Sequence, residues 1–119
     1  MWGYAGGAVE LHEPVEAAAA RELLEETGLI AEELTLFGVF SGEELHHIYP
    51  NGDEVSIVEI VYLCRNYQGE LTPQAEEVTG LRFFPPDRLP KIGLIHRPAL
   101  RAYFRAAGLG EPNWECDGR

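Results

Sequence analysis

The chain has 119 residues, with 9 Lys+Arg against 20 Asp+Glu, 45% hydrophobic and 24% charged residues; this is ordinary soluble material for one small domain. No apolar run reaches the length of a membrane span, and no basic start leads through an apolar stretch to a small-residue cleavage site. A net charge of −11 also argues against a nucleic-acid partner, because an acidic surface repels polyanions unless a cation intervenes.

Residues 1–12 are glycine-rich, with Gly3, Gly6 and Gly7 around Trp2 and Tyr4. A helix is predicted next. Glu13 stands at its start, Pro14 suits the first helical position, and Gly28 suits the left-handed position past the end. Ala17 to Ala20 and Arg21 to Glu26 between them are strong helix formers. Residues 35–40 read as a strand. Residues 41–54 read as a loop or hairpin, with Asn51-Gly52 as the turn signal. Residues 55–65 read as one long strand, apolar on both alternating faces and therefore central and covered on both sides. Glu59 interrupts that pattern, either at a site or near a solvated edge. A short strand, Leu81 to Phe84, is stopped by Pro85-Pro86. The last helix covers residues 98–107, with Leu100, Tyr103, Phe104 and Ala107 as its core stripe and Gly108 as terminator. Strands separated by helices indicate a mixed α/β or α+β domain over residues 1–107, with 108–119 as a C-terminal tail. Cys64, in an apolar run, and Cys116, in the polar tail, lie far apart and outside any zinc-type spacing. They read as free thiols in a reducing cytoplasm.

The chemistry concentrates on the first helix. Glu22, Glu25 and Glu26 sit at i, i+3 and i+4 and share a face, while Ala17, Ala20 and Leu24 form the opposite face, expected to pack on a sheet. Three carboxylates within a turn repel one another by roughly a few tenths of a kcal/mol per pair. They form either a solvated acidic face or ligands for a hard divalent cation, which prefers carboxylate oxygens. An EF-hand-type calcium loop is excluded by spacing, since no alternating Asp/Asn run occurs.

The surrounding residues favour the cation. Gly7 to Leu29 reads GAVELHEPVEAAAARELLEETGL, with Gly7, Glu13, Arg21-Glu22-Leu23, Glu25-Glu26 and Gly28-Leu29 fixed. This resembles the complete box of the Nudix family. Trp2 with Gly6-Gly7, and Glu77 followed by LRFFPPDRLP, resemble the family's flanking segments, so the resemblance runs from Trp2 to Phe104. Ala5 replaces a common proline and His12 a common glycine.

The resemblance implies a mixed sheet sandwiched between helices, with strands before the box that this chain lacks. Met1 would then be an internal methionine or the edge of a natural truncation. It also implies hydrolysis of a phosphoanhydride bond in a nucleoside diphosphate-linked compound, with Mg²⁺ (or Mn²⁺) held by Glu22, Glu25 and Glu26 and Glu13 as an auxiliary ligand. Glu25 or Glu26, or a later acid, Glu77 or Glu76, is the candidate base. Arg21 and Gly28 are expected to be structural. Gly6, Gly7 and His12 are expected near the substrate, and Phe40, His47 and Tyr49, with His46 beside them, are candidates for stacking on a base or ribose. Residues 43–48 lack the proline frequent in the ADP-ribose subgroup, which leans toward a nucleoside triphosphate or small nucleotide-sugar substrate. A homodimer is expected. The alternative is a catalytically weak or inactive domain that binds nucleotide or acts as a dimerising interaction module.

Overall fold

The computed structural model describes residues 2–72 and 80–113; Glu76, Glu77 and Cys116 lie outside the described residues. The order is helix α1 (Val15–Thr27), strand β1 (Ile30–Phe40), strands β2 (His46–Ile48) and β3 (Glu54–Ser56), strand β4 (Glu59–Gln68) and helix α2 (Arg97–Ala106). Single 3₁₀ turns occupy Pro86–Arg88 and Leu94–His96. β1 pairs with β4, and β2 pairs antiparallel with β3. The fold is mixed α/β, as the alternation of helical and strand patterns predicts.

The residues cluster into two compact units. The described residues of Tyr4–Phe37 and Tyr62–Phe83 make one, and it contains α1. Pro14 is the N-cap of α1 rather than its first residue, and Gly28 is the C-cap, with its N–H donating to the Leu24 carbonyl at 2.9 Å. Gly28 lies at φ 80°, and a Cβ there would meet the Thr72 carbonyl at 2.9 Å, so glycine is required twice over. The buried residues of α1 are Ala18 and Thr27. Ala17 and Leu24 are exposed, which corrects the expectation that their face packs on a sheet. That side instead opens onto a cleft of about 400 Å³ lined by Glu16, Ala17, Ala20, Ala31, Glu32, Glu33 and Leu34.

The described residues of Met1–Gly3, Gly38–Val61 and Phe84–Arg119 make the other unit. The β2–β3 hairpin turns through Asn51-Gly52, where Gly52 has φ 93° and the Asn51 side chain bonds to Asp53 at both its amide N–H and its carboxylate. Leu45 just before the hairpin is fully buried, and its carbonyl accepts from Ile57 N–H at 2.7 Å. Ala99 and Phe104 are the buried face of α2. Ala107, expected in that stripe, is exposed, because the helix ends one residue before it. Trp2 bridges in parallel to Ile92 and meets Phe84 edge-on at 4.9 Å.

Three strand expectations are corrected. β1 begins five residues earlier than its hydrophobic run, through Ile30-Ala31-Glu32-Glu33-Leu34; backbone pairing with β4 extends it where composition does not. Residues 55–65 are not one central strand: the chain leaves β3 at Ser56 and re-enters as β4 at Glu59. β4 has a single partner strand among the described residues, and Val58 is 65% and Ile60 39% exposed. Leu81 to Phe84 is irregular; Pro85-Pro86 ends it in a 3₁₀ turn before any ladder forms.

Leu45→Ala is expected to cost about 2–5 kcal/mol, since removing a fully buried side chain forfeits its transfer energy and leaves a cavity. Denaturant unfolding followed by circular dichroism would read it as a lower midpoint at unchanged slope.

Candidate functional site

The helix periodicity that puts Glu22, Glu25 and Glu26 on one face of α1 also brings Arg21 beside them, and the preceding loop supplies the rest. The Arg21 guanidinium donates through Nε to Glu13 Oε2 at 2.8 Å and through Nη2 to Glu13 Oε1 at 3.0 Å. Nη1 donates to Glu22 Oε1 at 2.8 Å and to Glu25 Oε2 at 3.1 Å, and Nη2 also reaches the Ala8 carbonyl at 3.1 Å. Glu10 Oε1 stands 3.7 Å from Nη1. A planar fork with five donors suits this arrangement, which an ammonium would not reproduce.

The loop is fastened to the helix at further points. Gly6 N–H donates to Glu26 Oε2 at 2.7 Å, and Glu10 N–H to Glu13 Oε1 at 3.0 Å. Glu13 N–H returns to the Glu10 carbonyl at 3.0 Å, closing a tight turn over residues 10–13. His12 within it has φ 64°. Gly7 passes close over the helix: a Cβ there would sit 2.6 Å from the Glu22 carboxylate.

The electrostatics follow from one cation among several anions. Hydrogen bonds from Arg21, and then from the Glu10 backbone N–H, hold the Glu13 carboxyl below the usual carboxylate range against the opposing effect of desolvation, with the Arg21 charge adding a lesser pull. Arg21 is pushed up, chiefly by its bonds to Glu13, and stays charged throughout. Glu10, Glu13, Glu22 and Glu25 thus surround a single positive charge. Such an excess suits a hard divalent cation, and the bonds from Arg21 engage only one oxygen of Glu22 and one of Glu25. Among the described residues no three Asp, Glu, His or Cys side chains are already gathered as a metal centre. Glu13, Glu22 and Glu25 are turned onto Arg21, and Glu26 onto the Gly6 amide.

The candidate residues therefore fall into three groups. Gly6, Gly7, His12, Glu13, Arg21, Glu22, Glu25, Glu26 and Gly28 belong to one unit. Phe40, His47 and Tyr49 belong to the other, where the His47 and Tyr49 rings meet edge-on at 4.7 Å and His46 Nε2 lies 3.9 Å from Glu54 Oε1. Glu77 lies outside the described residues. Sequence reasoning overlooked Glu10 and the Ala8 carbonyl; the Glu10-x-x-Glu13 spacing, which closes the turn, was the available signal for the first.

The NUDIX domain family model matches residues 1–103. A curated ADP-ribose pyrophosphatase of Methanocaldococcus jannaschii is 37% identical over 100 residues, 84% of this chain and 55% of that protein. An oxidized purine nucleoside triphosphate hydrolase of Danio rerio is 31% identical over 90 residues, 75% of this chain and 52% of that protein. The crystal structure of a MutT NUDIX hydrolase from Burkholderia pseudomallei superposes with a TM-score of 0.69 at 36% identity, covering 83% of this chain and 74% of that one. The chain belongs to the Nudix family. It spans about half the length of the curated relatives it matches.

Gly7→Ala should push the Glu22 carboxylate aside without touching a buried core. The expected outcome is a thermal midpoint near that of the parent with any hydrolytic turnover reduced by about a hundredfold, the scale set by a displacement of roughly 1 Å in a reacting geometry. Steady-state kinetics beside a melting curve check it.

Proposed function

We propose that this chain hydrolyses a phosphoanhydride bond in a nucleoside diphosphate-linked compound. The observation that carries the reading is the excess of carboxylates around Arg21, on a helix whose preceding loop approaches through Gly6 and Gly7. Glu22, Glu25 and Glu26, with Glu13 as auxiliary, would hold Mg²⁺ or Mn²⁺. Bound there, the metal supplies neutralisation of phosphate oxygens and polarisation of the phosphorus under attack. The remaining tasks fall to the chain itself. Arg21 fixes Glu13, Glu22 and Glu25 in place; Gly7 keeps the approach to the helix free of a side chain; Glu25 or Glu26, or Glu77, takes the proton from the attacking water.

On the substrate side, two similar proteins bear the names ADP-ribose pyrophosphatase and oxidized purine nucleoside triphosphate hydrolase, so nucleotide-sugar and nucleoside triphosphate substrates both enter the proposal. Phe40, His47 and Tyr49 are its base- or ribose-contacting residues, the exposed His47–Tyr49 pair being a ready stacking platform. The reading includes a cytoplasmic setting and a homodimer.

The test is product release from ADP-ribose, nucleoside triphosphates and dinucleoside polyphosphates in the presence of Mg²⁺. Turnover of one class, reduced roughly a hundredfold or more in Glu25→Gln or Glu26→Gln, is expected. A folded protein silent across the panel would instead favour a nucleotide-binding or dimerising module.

A further inference from the structure

The tip of the β2–β3 hairpin carries a reactive pair that the glutamate helix does not involve. Of the asparagines in the chain, Asn51, Asn66 and Asn113, only Asn51 is followed by glycine. A glycine leaves the backbone nitrogen behind an asparagine side chain open to approach, since it has no Cβ and turns freely. Asn51, Gly52 and Asp53 are all exposed, and a Cβ at Gly52 would meet nothing within 4 Å.

The hairpin commits both partners elsewhere. Gly52 N–H donates to the Tyr49 carbonyl at 2.9 Å, closing the turn over Pro50 and Asn51, and Tyr49 N–H donates to the Asp53 carbonyl at 2.8 Å. The Asn51 side chain is turned forward onto Asp53. Its Oδ1 accepts from the Asp53 backbone N–H at 3.0 Å, and its Nδ2 donates to the Asp53 carboxylate at 3.1 Å. For the Gly52 nitrogen to bond to Asn51 Cγ, the side chain must turn off Asp53 and the Gly52 N–H must leave Tyr49. Each of these bonds opposes the step by its own free energy.

We propose that Asn51 is a self-modification site whose rate is set by Asp53. The Gly52 amide gives its proton to solvent base, its nitrogen bonds to Asn51 Cγ, and the Cγ–Nδ2 bond breaks to release ammonia. Water then opens the cyclic imide, at the main-chain carbonyl to give isoaspartate or at Cγ to give aspartate. Water is the only co-reactant, and nothing is oxidised or reduced. The hairpin registers the product in two ways. A carboxylate stands beside Asp53 where an amide had donated to it, and the two charges repel. Isoaspartate also inserts an extra backbone carbon before Gly52, which shifts the Gly52 N–H off the Tyr49 carbonyl. The same turn seats Tyr49 against His47, so modification loosens that ring pair. The inference is independent of the hydrolase reading, because it needs the hairpin alone.

The test maps deamidation by peptide mass spectrometry in the full chain, held in mildly alkaline buffer. It compares the folded parent, Asp53→Ala and Asp53→Asn, with the urea-unfolded parent as the reference without the fold. Conversion at Asn51 is expected to be fastest in the unfolded chain. In folded Asp53→Ala it should run about fivefold faster than in the folded parent, the scale of one lost hydrogen bond. Asp53→Asn keeps a side-chain oxygen that accepts from Nδ2, so its rate should stay within about twofold of the parent. Circular dichroism checks that each variant is folded. Equal rates in the parent and folded Asp53→Ala overturn the proposal, as does conversion at Asn66 or Asn113 ahead of Asn51. A folded parent that converts as fast as the unfolded chain overturns it without recourse to any variant, and so does an Asn51 that stays intact in all four samples.

Discussion

One guanidinium holds the candidate site together. Arg21 draws Glu13 out of the loop and Glu22 and Glu25 along the helix onto a single planar group, and it ties down the Ala8 carbonyl as well. Without it, Glu10 and Glu13 of the loop and Glu22 and Glu25 of the helix would lose the one cation they share. With it, the loop from Gly6 to Glu13 becomes a rigid extension of α1. The pairs are partly exposed, so their worth in stability is small. Their worth in geometry is larger, because two separately flexible segments become one surface carrying more negative charge than one arginine balances. That imbalance is the link from packing to chemistry, since it is the state a divalent cation corrects.

The glycines show the same economy. Gly28 is fixed by a positive φ and by the Thr72 carbonyl beneath it, and Gly7 by the Glu22 carboxylate. Gly6, by contrast, would tolerate a Cβ, with nothing within 4 Å, and contributes through its backbone N–H to Glu26.

Much of this was legible in the sequence because it rests on local rules. Helix periodicity placed Glu22, Glu25 and Glu26 together, Gly28 announced the helix end, and Asn51-Gly52 announced the hairpin turn. What failed depended on partners distant in the chain. The N-terminal half of β1 carries Glu32 and Glu33, which no strand propensity predicts, yet pairing with β4 extends the strand through them. The apolar run 55–65 looked like one covered strand, because hydrophobicity records what a segment tolerates and not where the ladder breaks. Ala17 and Leu24 looked like a packing face, yet they are exposed while Ala18 and Thr27 are buried. At the site, family spacing picked out Glu13, Glu22, Glu25 and Glu26 as candidates; the Glu10-x-x-Glu13 spacing went unread, and no spacing rule foretells that position 12 is left-handed.

The central claim is that the carboxylates around Arg21 are completed by a divalent cation. Titration of the folded protein with Mg²⁺ and Mn²⁺, followed by its melting temperature, tests this most directly. A ligand that binds only the folded state raises stability as RT ln(1 + [L]/Kd). The account predicts a saturable rise that is lost when Glu22 and Glu25 are both replaced by glutamine. A folded protein whose melting temperature ignores both ions up to millimolar concentration, or whose response survives that double replacement, would contradict it.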